Sequence, residues 1–144
     1  MAPSPLMDEE LEVGMPLGPL ELVVTPELNR EQLAALGLEA THLDGVDGPW
    51  VEPSVLARNY ARLLRHHHEA QGMIHVACEF RLFRRVRAGE RLRISGRIAD
   101  KFVKRGRPYV VIETQTEDEQ GRLVSRERNT VIARLFWEGG GGDA

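Results

Sequence analysis

Alternation between apolar and charged side chains in the second half of the chain constrains its fold most strongly. In residues 74–82 and 92–102, apolar residues recur at alternate positions, and most of the residues between them are charged. A period of two is typical of strands with one buried and one solvated face. Short stretches rich in glycine and polar residues, such as 87–90 and 118–121, predict tight turns between strands. The sequence therefore predicts an antiparallel meander of four long strands, the last at about residues 122–136.

A long helix is predicted before this meander. Pro53 and Ser54 are typical of a helix start, and charged residues form one stripe along residues 53–69 while apolar residues cover the other side. Upstream, residues 18–25 predict a strand and residues 26–37 a short helix. One long apolar helix and one antiparallel sheet predict an α+β fold, a single domain in which the sheet wraps around the helix. The other sheet face and the edges are then open to a partner subunit.

Length and composition fit one domain with short extensions. A chain of 144 residues buries a sizeable core without crosslinks. We expect residues 1–13 to be a flexible lead, 14–137 the domain and 138–144 a glycine-rich disordered tail. The opening residues lack the basic start and apolar run of a signal peptide, and Cys78 has no second cysteine to pair with. These features predict a cytoplasmic protein.

The charge is distributed unevenly, with an acidic first part and a basic remainder. The arginines of the basic part mostly alternate with apolar residues, which is the usual pattern of a solvated strand face. No nucleic-acid recognition motif accompanies them, and no apolar run approaches the length of a membrane span. We therefore expect neither nucleic acid nor a membrane as a partner.

The segment from residue 65 to 75 holds four of the five histidines. Successive helical residues project about 100° apart, so His66, His67 and His68 do not converge on one metal ion. The segment predicts a helix end that turns into a strand, and no metal site. A pairing of His68 with His75 across the turn stays open. Cys78, expected on the inward face beside Val76, is predicted to be a small buried hydrophobe and not a nucleophile.

Four stretches in a particular order carry a resemblance to a known family. They are VGMPLGPLELVVTPELNREQLAALG, VEPSVLARNYARLL, FRLFRRVRAGERLRISGRI and KRGRPYVVIETQTEDEQGRLV. Together they resemble the MaoC-like dehydratase and (R)-specific enoyl-CoA hydratase family of hotdog proteins, especially its N-terminal or non-catalytic-type domains. The resemblance implies a homodimer, or a heterodimer with a catalytic hotdog subunit, that binds acyl thioesters of coenzyme A or acyl carrier protein. It implies reversible hydration of a trans-2-enoyl thioester, with no cofactor beyond the carrier of the substrate.

The resemblance also indicates where a site is expected. Active family members carry an Asp-x-Asn-Pro-x-His motif before the central helix, and residues 36–50 do not contain it. The usual acid/base dyad is therefore missing, although His42, Asp44 and Asp47 are candidates for a rearranged one. At the start of the helix, the backbone amides of Pro53, Ser54 and Val55 fall where the family places its oxyanion donors; proline contributes no N–H of its own. Trp50 lies where an acyl chain would enter, or is simply a packing residue.

Three functions remain open on the sequence. The favoured one is an acyl-thioester-binding subunit of a hydratase or dehydratase system. The second is a self-sufficient enzyme, either a hydratase with a rearranged site or a thioesterase that uses a carboxylate near the helix, for which Glu52 and Glu69 are the candidates. The third is a non-enzymatic hotdog module.

Overall fold

The computed structural model describes residues 4–5, 11–39, 43–45, 48–69 and 73–132. Within them the chain forms strands, two α-helices and one 3-10 helix. In chain order these are β1 (Ser4–Pro5), β2 (Pro16–Val23), α1 (Pro26–Ala35), the 3-10 helix (Pro53–Arg58), α2 (Asn59–His67), β3 (His68–Glu69), β4 (Ile74–Leu82), β5 (Arg91–Lys104), β6 (Arg107–Asp118) and β7 (Leu123–Ile132).

Five strands form one antiparallel sheet in the order β2-β5-β6-β7-β4, and β1 pairs with β3 in a separate parallel pair. The prediction of an α+β domain is confirmed, and β5, β6 and β7 follow one another as a meander. The prediction that β4 belongs to this meander is wrong, because β4 pairs with β7 at the edge and residues 83–90 connect two strands that are not neighbours. β7 is described as far as Ile132, so the predicted extension of this strand to residue 136 lies outside the described residues. The sheet has two edges, β2 on one side and β4 on the other.

The central helix is confirmed over most of the predicted residues 53–69, but it changes type along its length and ends two residues earlier. Residues 53–58 form a 3-10 helix and α2 ends at His67. At the junction the Asn59 N–H bonds the carbonyl of Leu56, three residues back. The carbonyl of Val55 lies in this 3-10 segment and accepts a hydrogen bond from the Arg62 guanidinium at 2.6 Å. The side chain of α2 thus binds the backbone of the segment that precedes it.

The core lies between the helical segment and the sheet face that it covers, here called the inner face. One apolar cluster lies beneath α2 and includes Leu63, Leu64 and Ile94, all fully buried. A second lies beneath the 3-10 helix and includes Val55 and Leu56. Burying a leucine side chain stabilises the fold by about 2 kcal/mol, so these clusters supply much of the force that holds the helix on the sheet.

The edge strand β4 departs from the predicted alternation. A bulge at Val76 separates the pairs His75–Val131 and Ala77–Thr130, so the strand changes which residues face inward at that point. His75 and Cys78 both lie on the inner face as a result. The prediction that Cys78 is buried is wrong, since its side chain is exposed. The reason is that α2 packs chiefly over β2, β5 and β6, which leaves the edge strand uncovered.

Helices long and apolar enough to cross a membrane are absent from the part of the chain that the structure describes.

Candidate functional site

The start of the 3-10 helix is held in place by α1. Asn29, a buried residue of α1, donates from its amide nitrogen to the Trp50 carbonyl at 2.8 Å and accepts from the Glu52 N–H at 2.7 Å. One turn further along α1, the Gln32 amide donates to the Ser54 hydroxyl at 2.7 Å. These contacts fix the path of the chain as it enters the helix.

The amides expected to bind a thioester oxygen are engaged within the chain. Pro53 has no N–H to offer. The Ser54 N–H donates to the Glu52 carboxylate at 3.1 Å, and the Val55 N–H donates to the Glu52 carbonyl at 3.0 Å. Glu52 therefore caps the helix with a negative charge. A ligand oxygen would have to displace this carboxylate to reach the Ser54 amide, and a binding role for these residues stays a prediction.

The loop before this helix is described only in part. His42 and Asp47 lie outside the described residues, so the rearranged dyad stays a prediction. Asp44 is exposed in the loop. Trp50 is half-buried, and the guanidinium groups of Arg85 and Arg87 lie 5.5 and 5.6 Å from the centre of its ring. Cation–π contacts from two arginines therefore help to position the Trp50 ring, in addition to packing.

A layer of buried polar residues, which the sequence analysis did not predict, separates the two apolar clusters. In the pairing of β6 with β7, Thr114 lies opposite Glu127 and Thr116 lies opposite Ser125. All four are buried on the inner face, together with Asn129. A polar layer of this kind is costly unless its members bond to one another, so its presence in a core points to a function or to fold specificity.

The first turn of α2 supplies partners for this layer. The fully buried Asn59 donates to the Thr116 hydroxyl at 2.8 Å and accepts from Arg62 at 2.7 Å. The Arg62 guanidinium thus binds both Asn59 and the Val55 carbonyl. Arg62 and Asn59 therefore connect the 3-10 helix to the polar layer in one hydrogen-bond network.

Glu127 is the most unusual ionisable group of the layer, with only 4% of its surface exposed. Burial raises the pKa of its carboxyl group from 4.5 to about 7, although the Thr114 hydroxyl, the Asn129 amide, the Tyr60 backbone amide and the Arg62 charge all favour the charged form. A carboxyl group that titrates near neutrality can both accept and release a proton under physiological conditions.

Asn129 connects Glu127 to an exposed histidine. Its amide nitrogen donates to the Glu127 carboxyl group at 3.2 Å, and its amide oxygen lies 2.8 Å from the Nε2 atom of His75. The His75 ring also lies against the Tyr60 ring, with centroids 5.1 Å apart. The Cys78 thiol is exposed, but the atoms around it partly exclude water; this raises its pKa, and the charges of Glu127 and Glu79 raise it further, so the thiol is less reactive than an ordinary cysteine.

The other histidines do not form a site in the described part of the chain. His66 is exposed at the end of α2, and the side chains of His67 and His68 lie outside the described residues. The same holds for the side chain of Glu69. Among the described residues, no group of three or more histidine, cysteine and acidic side chains could hold a metal ion.

A groove of about 740 Å³ lies on the opposite sheet face, here called the outer face. It is lined largely by charged side chains, among them the ion-paired row Arg97, Glu113 and Arg128. None of the described residues of the predicted site lines it. Thr114 and Glu127 of the polar layer also border this groove, although their side chains are buried on the helix side of the sheet.

One signal in the sequence could have revealed the polar layer. Residues 125–130 are all polar, so both faces of the middle of β7 must carry polar side chains. Alternation assigns Glu127 and Asn129 to the face that also carries Val131. The pattern thus contains the buried carboxylate, but not its partners, which come from segments far away in sequence.

The fold and the helix-side site together define a hotdog protein, in which an antiparallel sheet wraps around a central helix. No family model matches the chain, and no curated protein matches it. Several solved structures do match it in fold. The comparisons confirm the predicted hotdog fold.

Three of these structures illustrate the likeness. The HadBC 3R-hydroxyacyl-ACP dehydratase complex of Mycobacterium tuberculosis is 21% identical, with a TM-score of 0.66 over 82% of this chain and 94% of the matched one. The R-hydratase PhaJ1 of Pseudomonas aeruginosa is 16% identical, with a TM-score of 0.73 over 91% and 87%. A MaoC-like dehydratase of Rhodospirillum rubrum is 19% identical, with a TM-score of 0.65 over 88% and 95%. At these identities the likeness concerns the fold.

Proposed function

We propose that this chain is an acyl-thioester-binding hotdog subunit of an enoyl-thioester hydratase or 3-hydroxyacyl-thioester dehydratase system. In this proposal it pairs along β4 with a second hotdog subunit, which is either another copy or a different chain. The ligand is an acyl group carried by coenzyme A or acyl carrier protein. The observation that carries the proposal is the exposed edge of the sheet at β4.

β4 has the properties of a strand that pairs with another chain. It is nine residues long and forms one edge of the sheet, where it pairs with β7 on one side only. Ile74, Val76 and Leu82 expose between 37% and 48% of their surface, and Phe83 just beyond the strand exposes 49%. An unprotected edge of this length with exposed apolar side chains favours pairing with another strand.

The substrate class is supported by two independent observations. The matching structures include a 3R-hydroxyacyl-ACP dehydratase complex and an R-hydratase. The described site contains groups suited to proton transfer, since Glu127 titrates near neutrality and is joined to His75 through Asn129. Because the Asp-x-Asn-Pro-x-His motif is missing from the sequence, any proton transfer by this chain requires other residues.

Pairing along β4 is tested by the oligomeric state. We expect light scattering after size-exclusion chromatography to show a dimer, and the substitution Val76→Lys to weaken it at least tenfold. The matched control is Val103→Lys, because Val103 is 74% exposed but lies near the hairpin that joins β5 to β6. A wild-type monomer would restrict the proposal to a heterodimer, and equal effects of both substitutions would contradict pairing at β4.

Ligand binding is tested by calorimetry with crotonyl-CoA and 3-hydroxybutyryl-CoA, and with free coenzyme A as the control ligand. Because the Glu52 carboxylate occupies the Ser54 amide, Glu52→Gln should bind the acyl thioesters several-fold more tightly, as expected for loss of roughly 1 kcal/mol of competing cap interaction. Glu31→Gln, at an exposed position of α1, should leave binding unchanged. Acyl thioesters that bind no better than free coenzyme A would refute the proposed ligand. Release of free thiol would indicate a thioesterase instead.

A further inference from the structure

We propose that His75 is an acid–base residue of this site, with Nδ1 as its reactive nitrogen, and that Asn129 and Glu127 are its positioning residues. The inference rests on the proposed function for the identity of the substrate. The bulge in β4 and the contacts of Asn129 and Tyr60 determine the placement of His75.

The bulge in β4 is what brings His75 to the inner face. Regular alternation would place His75 on the outer face if Cys78 faces inward, because the two residues are three positions apart. The extra residue at Val76 shifts the alternation by one, so His75 pairs with Val131 and Cys78 with Asn129 on the same face. Bulges next to functional sites commonly re-aim a side chain in this way.

Asn129 determines which ring nitrogen of His75 carries the hydrogen. Its amide nitrogen is committed to Oε2 of Glu127, which leaves the amide oxygen to face His75 Nε2 at 2.8 Å. An amide oxygen only accepts hydrogen bonds, so Nε2 must donate. In the neutral ring Nδ1 is then unprotonated and available as a base.

Burial fixes the orientation of the Asn129 side-chain amide. The residue is fully buried, so both ends of its amide need partners. Oε2 of Glu127 accepts its hydrogen bond whether the carboxyl group is charged or carries its proton on the other oxygen. Glu127 therefore positions Asn129 throughout the pH range in which it titrates.

His75 combines a fixed ring with access to solvent. Asn129 holds one nitrogen, and the Tyr60 ring lies at an interplanar angle of 30° to the imidazole. The side chain is nevertheless exposed. Of the ionisable groups near it, Tyr60 of the helical segment contacts the imidazole directly, and Glu127 of β7 is joined to it through Asn129. This geometry suits a group that exchanges protons with water or a ligand, and it is not that of a packing residue.

With an enoyl thioester the step is a hydration without a cofactor. Nδ1 takes one proton from a water molecule, and the oxygen of that water bonds to C3. The electron pair of the C2–C3 double bond moves to C2, stabilised by the thioester carbonyl. The proton on Nδ1 then passes to C2, which returns His75 to its neutral form. Dehydration is the reverse sequence.

Two measurements on the full chain test the proposal. Nitrogen-15 NMR of labelled histidine should show hydrogen on Nε2 of His75, in the wild type and in Glu127→Gln alike, since the glutamine oxygen still accepts from Asn129. Crotonyl-CoA hydration and exchange of the C2 hydrogen with deuterium should both fall at least 100-fold in His75→Gln, the scale typical of a lost acid–base group. Its affinity for crotonyl-CoA should stay within about twofold of wild type.

Two further variants separate the proposed roles. His66→Gln, at another exposed histidine, should leave both rates unchanged. Glu127→Leu, which removes the acceptor of the Asn129 amide nitrogen, should lower both rates and let hydrogen move to Nδ1 of the neutral His75 ring. A purely structural role for Glu127 would leave the hydrogen on Nε2 in Glu127→Leu.

Several results would overturn the proposal. They are hydrogen on Nδ1 of His75 in the neutral wild-type ring, rates in His75→Gln within twofold of wild type, hydrogen that stays on Nε2 in Glu127→Leu, or a wild-type chain that binds crotonyl-CoA without hydration or exchange. Failure to bind any acyl thioester would instead refute the proposed function, so the two failures are distinguishable.

Discussion

Replacing Glu127 by glutamine should make the protein more stable above about pH 4.5, with the full effect at neutral and alkaline pH. Glutamine has nearly the same shape, and its amide oxygen can accept the hydrogen bond from Asn129 that the carboxyl group accepts now. The substitution therefore removes the ionisation of the group and little else. The effect on the free energy of unfolding follows from the pKa of this carboxyl group.

The pKa of Glu127 is about 7 in the folded protein, against a value of 4.5 without its surroundings. The folded state thus binds the proton more tightly than the unfolded chain does, and the stability that this provides is fully present below pH 4.5. It is lost as the pH rises from 4.5 through 7. This difference in pKa between the folded and the unfolded state corresponds to roughly 3 kcal/mol in the free energy of unfolding, at about 1.4 kcal/mol for each pKa unit.

Urea unfolding of the wild type and of Glu127→Gln, followed by circular dichroism at fixed protein concentration, measures the effect. The two proteins should be about equally stable at pH 4.5 or just below, and the variant should gain roughly 3 kcal/mol by pH 8. In thermal melts at pH 8 this is a rise in the midpoint of about 10 °C for a chain of this size. Glu79→Gln, which removes an exposed carboxylate from β4, should show no comparable gain.

The result that would refute this reasoning is a difference between wild type and Glu127→Gln that does not change with pH. It would mean that the Glu127 carboxyl group is already charged in the folded protein at pH 5. The account of the buried layer would then be wrong, because the surrounding donors would outweigh the cost of burial.

Three further predictions concern stability. Gly96→Ala would place its Cβ 2.7 Å from the carbonyl oxygen of Glu113, which is closer than two such atoms can approach. Urea unfolding should therefore show a free energy of unfolding that is lower by about 1–3 kcal/mol. Unchanged stability would refute this close contact. Asn29→Ala removes both hydrogen bonds to the start of the 3-10 helix and should lower the free energy of unfolding by about 2 kcal/mol in the same assay. Hydrogen exchange at the Glu52 amide should become faster. Unaltered exchange would contradict the role of Asn29 in holding this segment. Burial alone would raise the pKa of Asp118, but hydrogen bonds from neighbouring backbone and arginine groups hold it below its usual range. The stabilising effect of the Asp118 carboxylate is therefore present above pH 3.8 and is lost as the pH falls further. Asp118→Asn should lower the melting temperature at pH 7 and make the melting temperature depend less on pH on the acid side. A variant whose melting temperature changes with pH in parallel with that of the wild type would contradict this.

The main elements of the fold follow from local patterns in the sequence. Alternation predicted β4 and β5 nearly to their ends, because each strand carries apolar residues at alternate positions. Glycine at 106 and 121, both with positive φ, marks turns where the meander reverses. These features depend on residues within a few positions of one another, which is why one sequence is enough to find them.

Features that depend on distant contacts were missed. Cys78 is exposed because α2 does not extend over β4. The residues of β4 alone do not indicate which strands the helix covers. The buried layer depends on the bond from Asn59 to Thr116, residues 57 positions apart. Polar residues in β7 look like a solvated face until the helix that covers them is placed. Sequence reasoning therefore directed attention to the loop before the helix, and not to β7.

The bulge in β4 has a consequence for how this site could arise or disappear during evolution. If the strand kept Val76 and paired without a bulge, Val76 would lie opposite Val131, and His75 would emerge on the outer face among the arginine and glutamate side chains. Deleting the one codon for Val76 would instead leave His75 opposite Val131 and on the inner face. The inward histidine thus depends on the register of β4 against β7, and this register can be inherited in either of two forms. Related chains that carry the histidine at this site are expected to have either the bulge or a strand that is one residue shorter.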